Sequence, residues 1–214
     1  MSLKTQKLKL KNNFESKFFN KNIYYTSSLN EFLNYDKNEI LIYEGYLPVL
    51  DLNNIITHSV LEISAKKKEI QSIKCRRSVQ ENKSPKYNQI KIIIGETRFK
   101  DYIFSKNNWK DYKIHIIKKR IEQGAIINTI SANGKIVAFL LFSINNKILF
   151  LHEIGVKEDF KKLGLAVDLL ADVFKKQFVK CISYIYEDNL ESLSFFKKIG
   201  FKTNKLKYYG KKIK

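Results

Sequence analysis

The stretch Leu151-His-Glu-Ile-Gly-Val156-Lys-Glu-Asp-Phe-Lys161-Lys-Leu-Gly164-Leu-Ala166-Val-Asp-Leu-Leu170 decides how the chain is read. Its first six residues are those of an apolar strand that ends at Val156. A charged loop follows, and Lys161-Lys162-Leu163-Gly164-Leu165-Ala166 opens a helix. The first amides of a helix have no intrahelical acceptor, and the helix dipole adds partial positive charge there. Such a turn suits an anion, and a pyrophosphate is the right size for it. Gly164 lets the backbone come close to a ligand, and small Ala166 keeps the next turn out of the way. Lys161 and Lys162 add cationic charge at the same place.

The surrounding pattern is periodic. Residues 125–131, 135–143 and 147–156 are three apolar runs divided by Asn133-Gly134 and Asn145-Asn146, both at two-residue hairpin spacing, which predicts a three-stranded antiparallel meander. Downstream the expected elements are a helix over 163–178, a strand over 180–186, a helix over 190–198 and a closing hairpin over 201–213. Upstream, residues 109–123 carry apolar residues near helical spacing and stop at Gly124, a good C-terminal cap. Residues 89–94 read as a short strand. The N-terminal portion reads as a strand over 39–43, a helix over 50–67 and a strand over 70–79. Residues 78–88, with Pro85 inside and no apolar periodicity, are the expected boundary between a small α/β domain of residues 1–82 and a second domain of residues 83–214.

Forty Lys and Arg against 21 Asp and Glu, in 214 residues, give a net charge of +19. That excess favours an anionic partner, although over-used Lys, Ile and Asn also fit an AT-rich coding bias. With apolar residues at 44% there is enough to build a core, which excludes wholesale disorder. Cys75 and Cys181 form no CxxC pair, and His58, His115 and His152 stand at no ligand spacing from them, so no metal site is expected. Neither a signal-peptide core nor a membrane-spanning run is seen, so a reduced, cytoplasmic protein is expected.

A second motif follows the next strand: Asn189, Ser192, Phe195, Phe196, Lys198, Gly200 and Phe201 at the spacing Asn-x-x-Ser-x-x-Phe-Phe-x-Lys-x-Gly-Phe. Together with Val156, then Lys161-x-x-Gly164-x-Ala166, this resembles the two signature motifs of the GNAT superfamily of acyl-CoA N-acyltransferases. The resemblance runs from about residue 89 to 214. It implies an α+β fold, a mixed, largely antiparallel twisted sheet flanked by helices, beside the smaller N-terminal domain. It also implies a site. The amides of Lys162, Leu163, Gly164, Leu165 and Ala166, with Lys161 beside them, would hold the pyrophosphate of acetyl-CoA or another acyl-CoA. Backbone groups of Ile154 and Val156 would pair with the pantetheine arm like an added strand. Asn189 would bond to that arm or cap its helix, Phe195 and Phe196 would pack on the arm or in the core, and Lys198 could reach a phosphate. No metal enters.

Thr97-Arg98-Phe99, the aromatic-bearing helix after it and the N-terminal portion are similar to one branch, the dTDP-fucosamine acetyltransferases. That similarity implies a dTDP-linked amino sugar for surface polysaccharide such as O-antigen, acylated by direct attack through a tetrahedral intermediate, with Arg98 and Tyr112 as substrate contacts. The family's usual Tyr acid is replaced by Phe196, so either the thiolate leaves unassisted or the proton comes from another group, with Tyr208 and Tyr209 on the closing hairpin and Tyr184 or Tyr186 on the neighbouring strand as the candidates. Glu153 and His152, expected on opposite faces of their strand, are the candidate bases. Two other readings stand beside this one: a protein or small-molecule amine as acceptor, and an inactive CoA-fold module that binds nucleic acid. An edge strand would permit a homodimer.

Overall fold

The computed structural model describes residues 10–11, 23–27, 40–45, 55–96 and 109–212. Strands are numbered β1–β10 and helices α1–α4 in chain order. The chain divides into two compact units. The first comprises residues 1–62, 185–190 and 204–214, and the second residues 63–184 and 191–203. The boundary expected between residues 82 and 83 lies inside the second unit, where β5 (Gln80–Asn82) pairs with β6 (Ile126–Ala132).

In the first unit, β1 (Leu10–Lys11) pairs antiparallel with β2 (Ile23–Thr26), which runs parallel to β3 (Ile40–Gly45). The last strand, β10 (Lys202–Lys212), pairs antiparallel with β3, placing Tyr208 opposite Gly45 and Lys211 opposite Ile42. The expected closing hairpin is therefore one continuous strand.

In the second unit the strand order is β4-β9-β8-β7-β6-β5. The meander is as expected: β6, β7 (Lys135–Asn145) and β8 (Ile148–Val156) pair antiparallel in sequence. Asn133 and Gly134 take positive φ in the first turn. The second turn falls on Asn146 and Lys147, one residue later than expected. β7 lies at the centre and is buried over eight successive residues, the mark of a strand covered on both faces. β9 (Lys180–Tyr186) joins β8 in parallel.

Helices α1 (Tyr87–Glu96) and α2 (Trp109–Glu122) cover one face. Ile90, Ile93, Ile94, Ile114 and Ile117 pack there with Ile127, Phe139 and Leu141 from the sheet. α1 replaces the strand expected over 89–94. Its isoleucines favour a strand by intrinsic preference, yet Ile90, Ile93 and Ile94 are wholly buried and Ile92 is 56% exposed. That is helical spacing, and burying each isoleucine contributes about 1.5–3 kcal/mol, more than the propensity it overrides. α2 matches its expectation and ends on Gly124 at φ 92.

The helix expected over 50–67 is corrected in the other direction. Residues 55–66 form β4 (Ile55–Lys66), a long strand rich in β-branched Ile, Thr and Val. The strand expected over 70–79 is irregular backbone, and only Gln80–Asn82 pairs.

α3 (Leu165–Phe174) presents buried Leu165, Leu169, Leu170 and Val173, and it packs against β6, β7 and β8. It is shorter than the expected 163–178. Gly164 at φ 82 delays its start, and the Lys175 and Lys176 amides turn back to carbonyls three residues earlier at its end. α4 (Leu190–Lys198) matches its expectation. The expected fold class, mixed α+β with a largely antiparallel sheet, is what the chain forms.

Candidate functional site

The β8–β9 ladder is short. It pairs Ile148 with Lys180 through Leu151 with Ser183 and stops there, whereas β8 continues to Val156. The stop coincides with a bulge: Leu141 faces Glu153 and Phe142 faces Leu151, which leaves His152 as an extra residue. A bulge bends its strand and raises local twist, and beyond Leu151 no further pairing of β8 with β9 is made among the described residues. Backbone groups alternate sides along a strand. The Lys157 amide donates to Val137 on β7, so those of Val156 and Ile154 are turned toward the open side.

The bulge also corrects the expectation that His152 and Glu153 point to opposite faces. Two residues now share one position opposite β7, and both side chains lie on the face covered by α1 and α2. His152 Nε2 is 2.8 Å from Ser143 Oγ, and its ring stacks on Phe150. Glu153 Oε2 lies 3.7 Å from Lys113 Nζ on α2. The Glu153 side chain is only 9% exposed, and its Oε1 is buried with no hydrogen-bond partner among the described residues. Arg120, two helical turns beyond Lys113 on α2, acts electrostatically on Glu153, on His152 and on the Tyr112 phenol. Burial and then the Arg120 charge push the His152 imidazole down to about 4. It is therefore neutral at pH 7 and a weak base. Gly155 follows on the same strand; a Cβ there would meet Phe139 Cε1 at 2.6 Å, so glycine is what lets the sheet close on that ring.

Beyond β8 the chain makes a short 3-10 turn (Glu158–Phe160) and reaches α3 through Lys162 at φ 62 and Gly164 at φ 82. Alternating left-handed residues curl successive N–H groups into a concavity. The amides of residues 162–167 have no acceptor among the described residues, and no side chain caps the helix. Leu165 is buried, Ala166 is half-buried and Leu163 stays exposed at the rim. Lys161 is paired with Glu158 at 2.5 Å.

One feature of this turn was not anticipated from the sequence. Asp168 in the first turn of α3 is buried, accepting from the Arg76 amide at 2.7 Å and the Arg77 guanidinium at 2.6 Å. The Arg77 Nη1 atom is also the nearest group to a Cβ built on Gly164, at 3.9 Å. Asp168 thus neutralises itself and holds a cation beside the unpaired amides. An Asp in a first helical turn was the available signal, but its partner lies some ninety residues away in an irregular segment.

Of the remaining expected residues, Tyr112 is buried on α2. Asn189 directly precedes α4, and its amide donates to Tyr186. Lys198 is exposed and Phe195 half-buried. Phe196 is 5% exposed, edge-on to Phe195 and Phe201 at 5.3 and 5.0 Å, as a core residue would be. Tyr208 stands on β10 in the first unit, and Arg98 lies outside the described residues. Cys181 is wholly buried, and burial pushes its thiol up, which disqualifies it as a nucleophile.

The Phe196 packing carries a prediction. Phe196→Tyr places a hydroxyl among aromatic rings, at a cost of about 1–3 kcal/mol if it finds no partner. Urea denaturation should show that loss, and kcat should not rise. A clear gain in kcat would mean that the new hydroxyl serves as an acid.

A β8 edge left unpaired beyond Leu151 and a helix N-terminus with unpaired amides, among the described residues, are features that a ligand with an extended arm and a pyrophosphate would use. The model of the Acetyltransferase (GNAT) family matches residues 94–201, about half of the chain, and the chain belongs to that family. No curated protein matches it. Solved structures share the fold at low identity. A functionally unknown conserved protein of Staphylococcus epidermidis is 14% identical, with TM-score 0.62, over 90% of this chain and 84% of its own. A GNAT-family protein of Novosphingobium aromaticivorans is 9% identical, with TM-score 0.57, over 86% and 78%. An acetyltransferase from the GNAT family of Colwellia psychrerythraea is 11% identical, with TM-score 0.54, over 82% and 65%. The family uses acetyl-CoA, and this chain is accordingly an acyl-CoA-dependent N-acyltransferase. Among the described residues no helix is long and apolar enough to cross a membrane.

Proposed function

We propose that the acyl-CoA lies along the opened edge of β8, with its pyrophosphate on the amides of residues 162–166, and that Glu153 serves the acceptor amine. The early end of the β8–β9 ladder at Leu151 and Ser183 carries this reading. It turns the backbone of Ile154 and Val156 toward a pantetheine arm. It also sets Glu153 one residue from the amide that would face the thioester oxygen and stabilise its developing charge. Arg77, fixed by Asp168, and the lysines at 161 and 162 supply charge to the phosphates.

The acceptor nitrogen attacks the thioester carbonyl, forming the C–N bond and a tetrahedral oxyanion. Its collapse breaks the C–S bond, and the electron pair leaves on sulfur. Glu153 takes the proton lost by nitrogen and the thiolate gains one, so one N–H is exchanged for one S–H. His152 is too weakly basic for the task, and its place is to orient the bulge through Ser143. A thiol near pKa 8.5 leaves without a dedicated acid, so the chemistry needs neither a Tyr at position 196 nor Tyr208.

The acceptor amine follows the sequence resemblance, a dTDP-linked amino sugar. The +19 charge supports it against polyamines and other polycationic acceptors. Thiol release from acetyl-CoA, measured with dTDP- and UDP-amino sugars beside peptide amines and polyamines, tests the choice. Turnover confined to the sugar nucleotides is the expected result. Turnover with peptide amines alone would move the acceptor class. No turnover with any amine, together with salt-sensitive retention of random duplex DNA, would replace catalysis by nucleic-acid binding.

A further inference from the structure

Residues 70–79 are irregular, yet the chain there is tied down within the second unit. The Lys67 amide donates to Val179 at 2.9 Å, the Gln71 amide to Ile199 at 3.1 Å and the Arg76 amide to Asp168 Oδ1 at 2.7 Å. The last of these ties sets Arg77. Its Nη1 donates to Asp168 Oδ2 at 2.6 Å, and the same atom lies 3.9 Å from a Cβ built on Gly164. The Asp168 side chain is 2% exposed and that of Arg77 41%, so the exposed end of the pair is the cationic one. Asp168 fixes the guanidinium through one nitrogen, and a guanidinium has further N–H donors to offer. Lys161, the cation that the turn itself supplies, is paired with Glu158 instead, and both side chains are exposed. An exposed pair of that kind fixes neither partner firmly.

We propose that Arg77 binds the pyrophosphate of the acyl donor beside Gly164, and that Asp168 is the positioning residue that aims it. The proposal rests on the pyrophosphate lying on the amides of residues 162–166. It adds a contact from outside the strand-to-helix turn and gives the buried carboxylate a part in cofactor binding. Asp168 alone would oppose an anion at the start of α3, since like charges repel. With its oxygens taken by the Arg76 amide and the Arg77 guanidinium, its charge is answered and it lends the arginine a direction. A side chain already held in place loses less freedom when the ligand arrives, so more of the contact appears as affinity. Arginine also suits the task chemically, because its planar fork can donate parallel hydrogen bonds to phosphate oxygens.

Calorimetric titration with CoA, dephospho-CoA and pantetheine tests this, with circular dichroism to report that each variant is folded. Pantetheine lacks the pyrophosphate, whereas dephospho-CoA keeps it and lacks the 3′-phosphate. Arg77→Gln should weaken CoA and dephospho-CoA alike by about 10–100-fold, the worth of a charged hydrogen bond, and leave pantetheine within about twofold. Arg77→Lys should recover part of the loss, and in steady state the loss should fall on KM for the acyl donor. Asp168→Asn gives a diagnostic sign. By charge alone, removing a negative group from an anion site tightens CoA binding; a lost aim weakens it, and a loss of about fivefold or more is expected. Added to Arg77→Gln, Asp168→Asn should cost no further CoA affinity, because its effect passes through the arginine. Tighter CoA binding in Asp168→Asn, or additive losses in the double variant, would overturn the positioning role. CoA affinity within about twofold of wild type in Arg77→Gln, or a loss that spares dephospho-CoA, would overturn the Arg77 contact. If Gly164→Val is impaired at the same time, the pyrophosphate reading stands without Arg77; wild-type affinity in both variants would overturn both.

Discussion

Glu153→Gln is expected to lower kcat by about 10²–10⁴-fold, the usual contribution of a positioned general base. The substitution keeps the shape of the side chain and its contact with Lys113, so the fold and the affinity for acyl-CoA should be retained. Steady-state kinetics with a saturating acyl donor, beside calorimetric titration with CoA, would separate the two effects. Raising the assay pH should recover part of the loss, because a larger fraction of the amine then arrives without its proton. His152→Gln is the control. An imidazole held down to about 4 by burial and Arg120 has little basicity to lose, so kcat should fall by less than about tenfold. Equal and large losses in both variants would make the two residues one unit. A wild-type rate in Glu153→Gln would remove the carboxylate from the chemistry.

Gly164→Val should reduce CoA affinity by about 100-fold or more while leaving the chain folded. A β-branched residue at φ 82 costs more than the roughly 1–2 kcal/mol charged to an ordinary side chain in left-handed backbone. Relaxing that strain turns the amides out of their common concavity. No collision accompanies it, since the closest group to the new Cβ is Arg77 Nη1 at 3.9 Å. Circular dichroism should therefore be unchanged and the melting temperature lowered by a few degrees. CoA titration is the decisive measurement. An affinity within about threefold of wild type would place the pyrophosphate elsewhere.

Much of the fold around these two positions was legible beforehand for a physical reason. The meander, α2, β9 and α4 each carry a full period of burial together with a turn or cap residue, Asn133-Gly134 in one case and Gly124 in another. The misread elements lack one or the other. Residues 89–94 contain too many isoleucines for the pattern alone to separate period 2 from period 3.6, and only the exposure of Ile92 against buried Ile90, Ile93 and Ile94 does so. Residues 55–66 have mixed spacing because parts of the strand are covered on both faces, as buried Ile63, Ser64 and Ala65 show. The expected hairpin over 201–213 is one continuous strand, Lys202–Lys212.

The residues of the site divide along the same line. Local chemistry is enough to place unpaired amides around Gly164 and an apolar strand running into them, because caps, turns and periodicity act over a few residues. The face shared by His152 and Glu153, the early end of the β8–β9 ladder at Leu151, the Arg77–Asp168 pair and the action of the Arg120 charge on Glu153 all depend on partners many residues away. A bulge has no sequence mark of its own: it exists only in the register of β8 against β7, and register is set when whole strands pack.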